Sequence, residues 1–124
     1  IIGSAFNRPV IVYGYPKEFN PFYLKTDPEN TNVVRNMDIL APEGYGEIIG
    51  GGQREEDYNT LIEAIKAQGL AESRYQWYTD LRKYGSVPHA GFGLGIERSV
   101  AWICGLPHVR ETGAFPRLPR RLKP

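Results

Sequence analysis

An α+β fold, an antiparallel sheet flanked by helices, is what this sequence predicts. Three observations carry it. β-branched and aromatic segments bounded by turn residues fill the first half, and two apolar stripes at helical spacing follow. A glycine-alternating segment then runs straight into a third apolar helical stretch.

Taken in order, Pro9–Tyr15 (PVIVYGY) reads as a strand and Pro21–Thr26, with Phe22-Tyr23-Leu24, as a second. A polar stretch at Asp27–Asn32 leads into a strand through Val33, Val34, Met37 and Ile39. Ala41-Pro42-Glu43-Gly44 fits a type I turn, with proline second and glycine fourth, and Tyr45–Gly52 returns antiparallel. Tyr58, Leu61, Ile62 and Ile65 share a helical stripe, and Gly69 is placed as its C-terminal cap. Ser73 with Gln76 forms a capping-box pattern for the next helix. Its apolar positions Trp77, Leu81 and Tyr84 are spaced for one face, and Gly85 stops it. Gly91–Gly95 reads as a strand and Ile96–Cys104 as a helix ended by Gly105 and Pro107. Phe115–Pro124 is proline-rich and carries little regular structure.

Composition narrows the function classes. A chain of 124 residues suits one modest domain, and 41% hydrophobic with 23% charged residues is ordinary for a globular protein. A net charge of +1 gives no bulk attraction to nucleic acid or membrane. The charge is uneven, however: Arg110, Arg117, Arg120, Arg121 and Lys123 crowd the end against Glu111. That end is open to two readings, a solvated basic tail or a phosphate-facing arm. Cys104, the single cysteine, excludes an internal disulfide framework and is expected to be a buried, inert thiol. Two histidines and one cysteine do not make a zinc site. No stretch reaches the apolar length of a membrane span and Ile1-Ile2-Gly3 does not read as a signal peptide, so a cytoplasmic location without a membrane partner is expected. The chain opens without methionine, as a part of a longer protein would.

Chemistry concentrates in three places. In Gly91-Phe92-Gly93-Leu94-Gly95-Ile96-Glu97-Arg98, alternating glycines keep one strand face bare for a flat ligand. Arg98 then opens a helix, where a guanidinium can hold phosphate or stack on a base. A simple hairpin closed by Ala41–Gly44 sets Asp38 opposite Glu47. Like charges there call for a cation, and magnesium beside a nucleotide fits; two solvated acids are the other reading. Glu47 is followed by Gly50-Gly51-Gly52, a run that weakens a strand unless a bulge or a close-lying ligand needs the space. Strict pleating puts Glu47 and Arg54 on opposite faces, so a shared pocket requires an extra residue in that run. Arg54 suits a carboxylate, carbonyl or phosphate; otherwise it is a surface arginine near Glu55 and Glu56.

Together these segments resemble the C-terminal half of a class II aminoacyl-tRNA synthetase catalytic domain, aspartyl/asparaginyl branch. Residues 91–98 are similar to that class's third signature motif. Tyr15-Pro16-Lys17-Glu18, Phe22-Tyr23, Met37-Asp38, Gly46–Gly51, Gln53-Arg54-Glu55, Tyr84–His89, Phe115-Pro116-Arg117 and Arg121-Leu122 extend the likeness almost end to end. The run Gly46–Gly51 before Gln53-Arg54-Glu55, and Trp77–Gly85, look asparaginyl rather than aspartyl. The resemblance implies that Glu47 and Asp38 bind Mg2+, Glu47 also contacting ATP, and that Arg54 holds the side-chain carbonyl of asparagine. It implies an ATP surface of Gly93, Gly95, Ile96, Glu97 and Arg98, with Arg98 and Glu47 as the catalytic groups. Aspartyl relatives place serine at Gly50, so glycine there favours asparagine. The implied partners are asparagine, ATP and tRNA(Asn), in a full-length homodimer. The first two signature motifs and an anticodon-binding domain have no counterpart in residues 1–124, so the chain alone is expected to be inactive or weakly active. Competing expectations are a related enzyme activating aspartate or asparagine without tRNA, of asparagine synthetase type, and a non-catalytic nucleotide-binding module.

Overall fold

A computed structural model describes residues 2–120 and 123. Four strands, β1 (Val10–Tyr13), β2 (Asn36–Ala41), β3 (Gly46–Gln53) and β4 (Ala90–Leu94), form one sheet in the order β1-β2-β3-β4. Three helices accompany it: α1 (Tyr58–Ala67), α2 (Gln76–Lys83) and α3 (Ile96–Cys104). The α+β class and the antiparallel sheet are as the sequence predicts.

The chain divides into two compact units. One comprises the described residues of Ile1–Val12, Asp38–Gly50 and Gly93–Pro124; the other comprises Tyr13–Met37 and Gly51–Phe92. In the second unit, α1 buries Leu61, Ile62 and Ile65, and Val34 is buried as well. The predicted stripe is thus the core face. Asp57 caps α1 by accepting from the Thr60 amide at 2.7 Å. Gly69, at φ 68°, closes it: its amide bonds the Lys66 carbonyl and that of Leu70 the Ile65 carbonyl, the Schellman pair. In the first unit, Gly105 ends α3 by the same geometry, with amides of Gly105 and Leu106 on Trp102 and Ala101. Ala101 is the buried residue of α3.

Several local expectations change. Pro21–Thr26 is not a strand; it makes single bridges, Leu24 to Arg54 and Thr26 to Val34. Lys25 donates to the Gln53 carbonyl and accepts from the Arg35 amide, so the segment is shared between two neighbours one residue at a time. β2 accordingly starts at Asn36, and Val33 and Val34 form only isolated bridges, Val33 with Pro16 and Val34 with Thr26. The hairpin turn is Pro42–Tyr45, not Ala41–Gly44. Positive φ at Glu43 (60°) and Gly44 (87°) matches the primed turns whose twist suits flanking strands. The Ser73–Gln76 capping box does not form: Ser73 lies in a 3-10 turn, Glu72–Tyr75, and α2 starts without a side-chain cap. Trp77, Leu81 and Tyr84 lie 69%, 59% and 80% exposed, and α2 instead buries Thr79 and Arg82. Cys104 is exposed rather than buried, as the last residue of α3.

Candidate functional site

In the first unit the two predicted carboxylates meet, though not as a cross-strand pair. A Cβ built on Gly50 would lie 2.6 Å from Glu47 Oε1 and 3.2 Å from Asp38 Oδ1. Both side chains therefore reach the bare surface of Gly50. The shifted turn removes Asp38 from the position opposite Glu47, and Gly50 is the residue beside it. Glu47 follows Gly46, whose φ of 77° bends the start of β3. Among the described residues no lysine or arginine pairs with either carboxylate. Two like charges held together without a counterion, on a surface kept free by glycine, suit a hard cation. No group of three or more potential protein ligands occurs among the described residues. A pair of carboxylates is the donor set that magnesium takes when phosphates and waters complete its shell.

Arg98 lies in the first turn of α3, and its Nη1 donates to the Glu47 carbonyl at 2.7 Å. That bond ties an exposed guanidinium to the backbone of Glu47. Gly95 is the N-cap of α3; its amide bonds the Ile48 carbonyl at 2.9 Å, and its carbonyl accepts from the Ser99 amide and hydroxyl. Ser99 therefore stabilises the helix start. Gly93 leaves its surface open, since a Cβ there would meet nothing within 4 Å. Ile96 and Glu97 are exposed in the first turn of α3.

Arg54 belongs to the second unit. Its guanidinium lies over the Tyr23 ring, 4.9 Å from the centroid, and rests on Gly91, where a Cβ would come within 3.2 Å of Nη2. From the sequence, Tyr23 reads as part of a strand and of the family likeness, with no contact to Arg54 foreseen. Glu55 and Glu56 do not partner Arg54; Lys25 takes both. The Lys25 ammonium bonds Glu56 directly, which lowers the Glu56 carboxyl below its ordinary range and raises Lys25 above its own. Arg54 is thus a half-buried guanidinium with no carboxylate among the described residues.

The glycine run has a structural reason as well as a chemical one. A Cβ on Gly51 would lie 2.7 Å from the Gly91 carbonyl oxygen and 2.9 Å from Phe92 Cα, so β4 occupies that space.

A family model described as tRNA synthetases class II (D, K and N) matches residues 2–119. The chain belongs to this family. An asparagine–tRNA ligase of Sorangium cellulosum is 58% identical over 124 residues, all of this chain and 28% of that protein. The crystal structure of asparaginyl-tRNA synthetase from Pyrococcus horikoshii complexed with asparaginyl-adenylate is 55% identical, with a TM-score of 0.95, over 99% of this chain and 28% of its own. An aspartyl-tRNA synthetase of Entamoeba histolytica is similar at 33% identity and a TM-score of 0.87, over 94% of this chain and 24% of its own. The chain therefore spans less than a third of the length of the synthetases it matches. Residues Gly91–Arg98 fall in β4 and the start of α3. Arg121 and Leu122 lie outside the described residues. Arg110, Arg117 and Arg120 are exposed and form no ion pair among the described residues. No helix among those residues is long and apolar enough to cross a membrane.

Proposed function

We propose that this chain supplies the C-terminal catalytic portion of a cytoplasmic, homodimeric asparagine–tRNA ligase. The observation that carries the reading is the meeting of Asp38 and Glu47 at Gly50, beside an Arg98 guanidinium anchored on the Glu47 carbonyl. Asp38 and Glu47 would hold Mg2+, which when bound offsets phosphate charge. Arg98 binds ATP phosphate or stacks on its adenine; Gly93, Gly95, Ile96 and Glu97 form the surface on which the nucleotide lies. Arg54, poised between Tyr23 and Gly91 with no acid to satisfy it among the described residues, donates to the side-chain carbonyl of asparagine. Gly50, by leaving its space to the carboxylates, favours asparagine over aspartate. The asparagine α-carboxylate attacks the α-phosphate of ATP to form asparaginyl-adenylate with loss of pyrophosphate, and a terminal ribose hydroxyl of tRNA(Asn) then takes the aminoacyl group with release of AMP. Catalysis rests on positioning and charge neutralisation, with no covalent enzyme intermediate.

The test is a hybrid in which these 124 residues replace the matching segment of the Pyrococcus horikoshii enzyme. Asparagine-dependent exchange of pyrophosphate into ATP, with aspartate at least about a hundredfold poorer, is expected. An inactive but folded hybrid, or equal use of the two amino acids, counts against the reading.

A further inference from the structure

Arg82 is the strongest charged group that the functional reading leaves unused. It is 7% exposed, yet no carboxylate among the described residues pairs with it. Burying a guanidinium without a counterion is expensive, so its hydrogen bonds must be specific. Its Nε donates to the Glu55 carbonyl at 3.0 Å, and Nη2 donates to the Tyr78 hydroxyl at 2.8 Å. The guanidinium also stacks on the Tyr78 ring, 4.1 Å from the centroid. Nη2 lies 3.3 Å from His89 Nε2. A guanidinium only donates, so Nε2 accepts, and Nδ1–H donates to the Val87 carbonyl at 2.8 Å. The imidazole is held in one tautomer and one orientation.

These contacts bracket Arg54. Glu55 is its chain neighbour, and His89 accepts the Arg54 backbone amide on its carbonyl at 2.9 Å. One buried fork thus grips the residue after Arg54 and the residue paired across from it. We propose that Arg82 is the positioning residue that aims Arg54, and through it sets affinity for the amino acid. The inference rests on Arg54 as the amino-acid-binding group. Lysine cannot replace it, because a single ammonium lacks the planar fork that serves Glu55 and His89 together.

The test uses the hybrid ligase and measures KM for asparagine and for ATP separately in pyrophosphate exchange. Arg82→Met and Arg82→Lys are each expected to raise the asparagine KM about tenfold or more, with the ATP KM changed by less than about twofold. His89→Leu, at an exposed position, removes one arm of the clamp and raises the asparagine KM in the same direction; it serves where Arg82→Met fails to fold. An unchanged asparagine KM, an equal rise in both KM values, or full rescue by lysine overturns the proposal. An unsubstituted hybrid without asparagine-dependent exchange fails the functional reading itself, and the Arg82 proposal with it. An active hybrid with indifferent Arg82 and His89 variants overturns the Arg82 proposal alone.

Discussion

Replacing Gly51 by alanine is expected to damage folding, whereas the same change at Gly93 damages only chemistry. At Gly51 the new Cβ would sit 2.7 Å from both the Gly91 carbonyl oxygen and Phe92 Cβ, and 2.9 Å from Phe92 Cα. Ordinary contact begins near 3.4 Å, so β4 has to retreat by about 0.7 Å at atoms that cannot rotate away. The ladder bond from the Arg54 amide to the His89 carbonyl is 2.9 Å long, and such a retreat stretches it beyond useful length. Overpacking of about 1–3 kcal/mol and the loss of one or two backbone bonds at about 0.5–1.5 kcal/mol each give about 1.5–6 kcal/mol. At Gly93 a Cβ meets nothing within 4 Å, so the cost to folding is about 0.5 kcal/mol or less, while the bare nucleotide surface is lost. Thermal melting and pyrophosphate exchange of the two hybrid variants separate these effects. A Gly51→Ala melting temperature equal to that of the parent, or a Gly93→Ala variant with undiminished ATP affinity, would refute the reasoning.

Three further outcomes follow from the same geometry. Glu47→Gln removes one of two like charges at an exposed site, so it should leave the melting temperature alone while raising the Mg2+ needed for half-maximal exchange about tenfold; an unaltered magnesium requirement argues against the carboxylate pair as the metal site. Ile65→Ala empties a fully buried position of α1 and should cost about 2–5 kcal/mol, read from denaturant midpoints; a loss under about 1 kcal/mol would place the core elsewhere. The third concerns acid. Glu56, through its hydrogen bond from Lys25, and Asp57, through those from the Thr60 amide and hydroxyl, both titrate below their ordinary range. Their stabilisation is present above that range and is lost as pH falls through the depressed values. Lys25, raised by the same bond to Glu56, keeps its part until pH climbs through its elevated value. Melting temperature against pH should therefore drop on the acid side, and Lys25→Met should shrink that drop while leaving the share of Asp57; an identical acid limb in both proteins defeats this account.

Helix α1 and the ends of α1 and α3 were legible because their signals are local. An apolar stripe at helical spacing and glycines at positive φ act within a few residues. The stripe of Trp77, Leu81 and Tyr84 misled because spacing shows that residues share a face, not that the face is covered. In α2 the buried side is Thr79 and Arg82, whose partners Glu55 and His89 come from distant sequence. Pro21–Thr26 misled for a related reason: strand propensity is there, but each residue finds a different neighbour, so no ladder forms. For the candidate site, the sequence indicated which residues to compare but not the geometry that brings them together. Asp38, Glu47 and Gly50 do come together, yet by a turn centred one residue later than expected and a bent start to β3.

By itself the sequence determined the fold class and the family, because motif glycines, carboxylates and arginines recur position by position and the apolar patterning is local. Tertiary structure alone decided register, which side chains are covered, and what each glycine makes room for: carboxylates at Gly50, a neighbouring strand at Gly51, a guanidinium at Gly91. It also gave Arg82 its partners. Those facts depend on distances between residues far apart in the chain, and such distances are set by the packing of the whole unit.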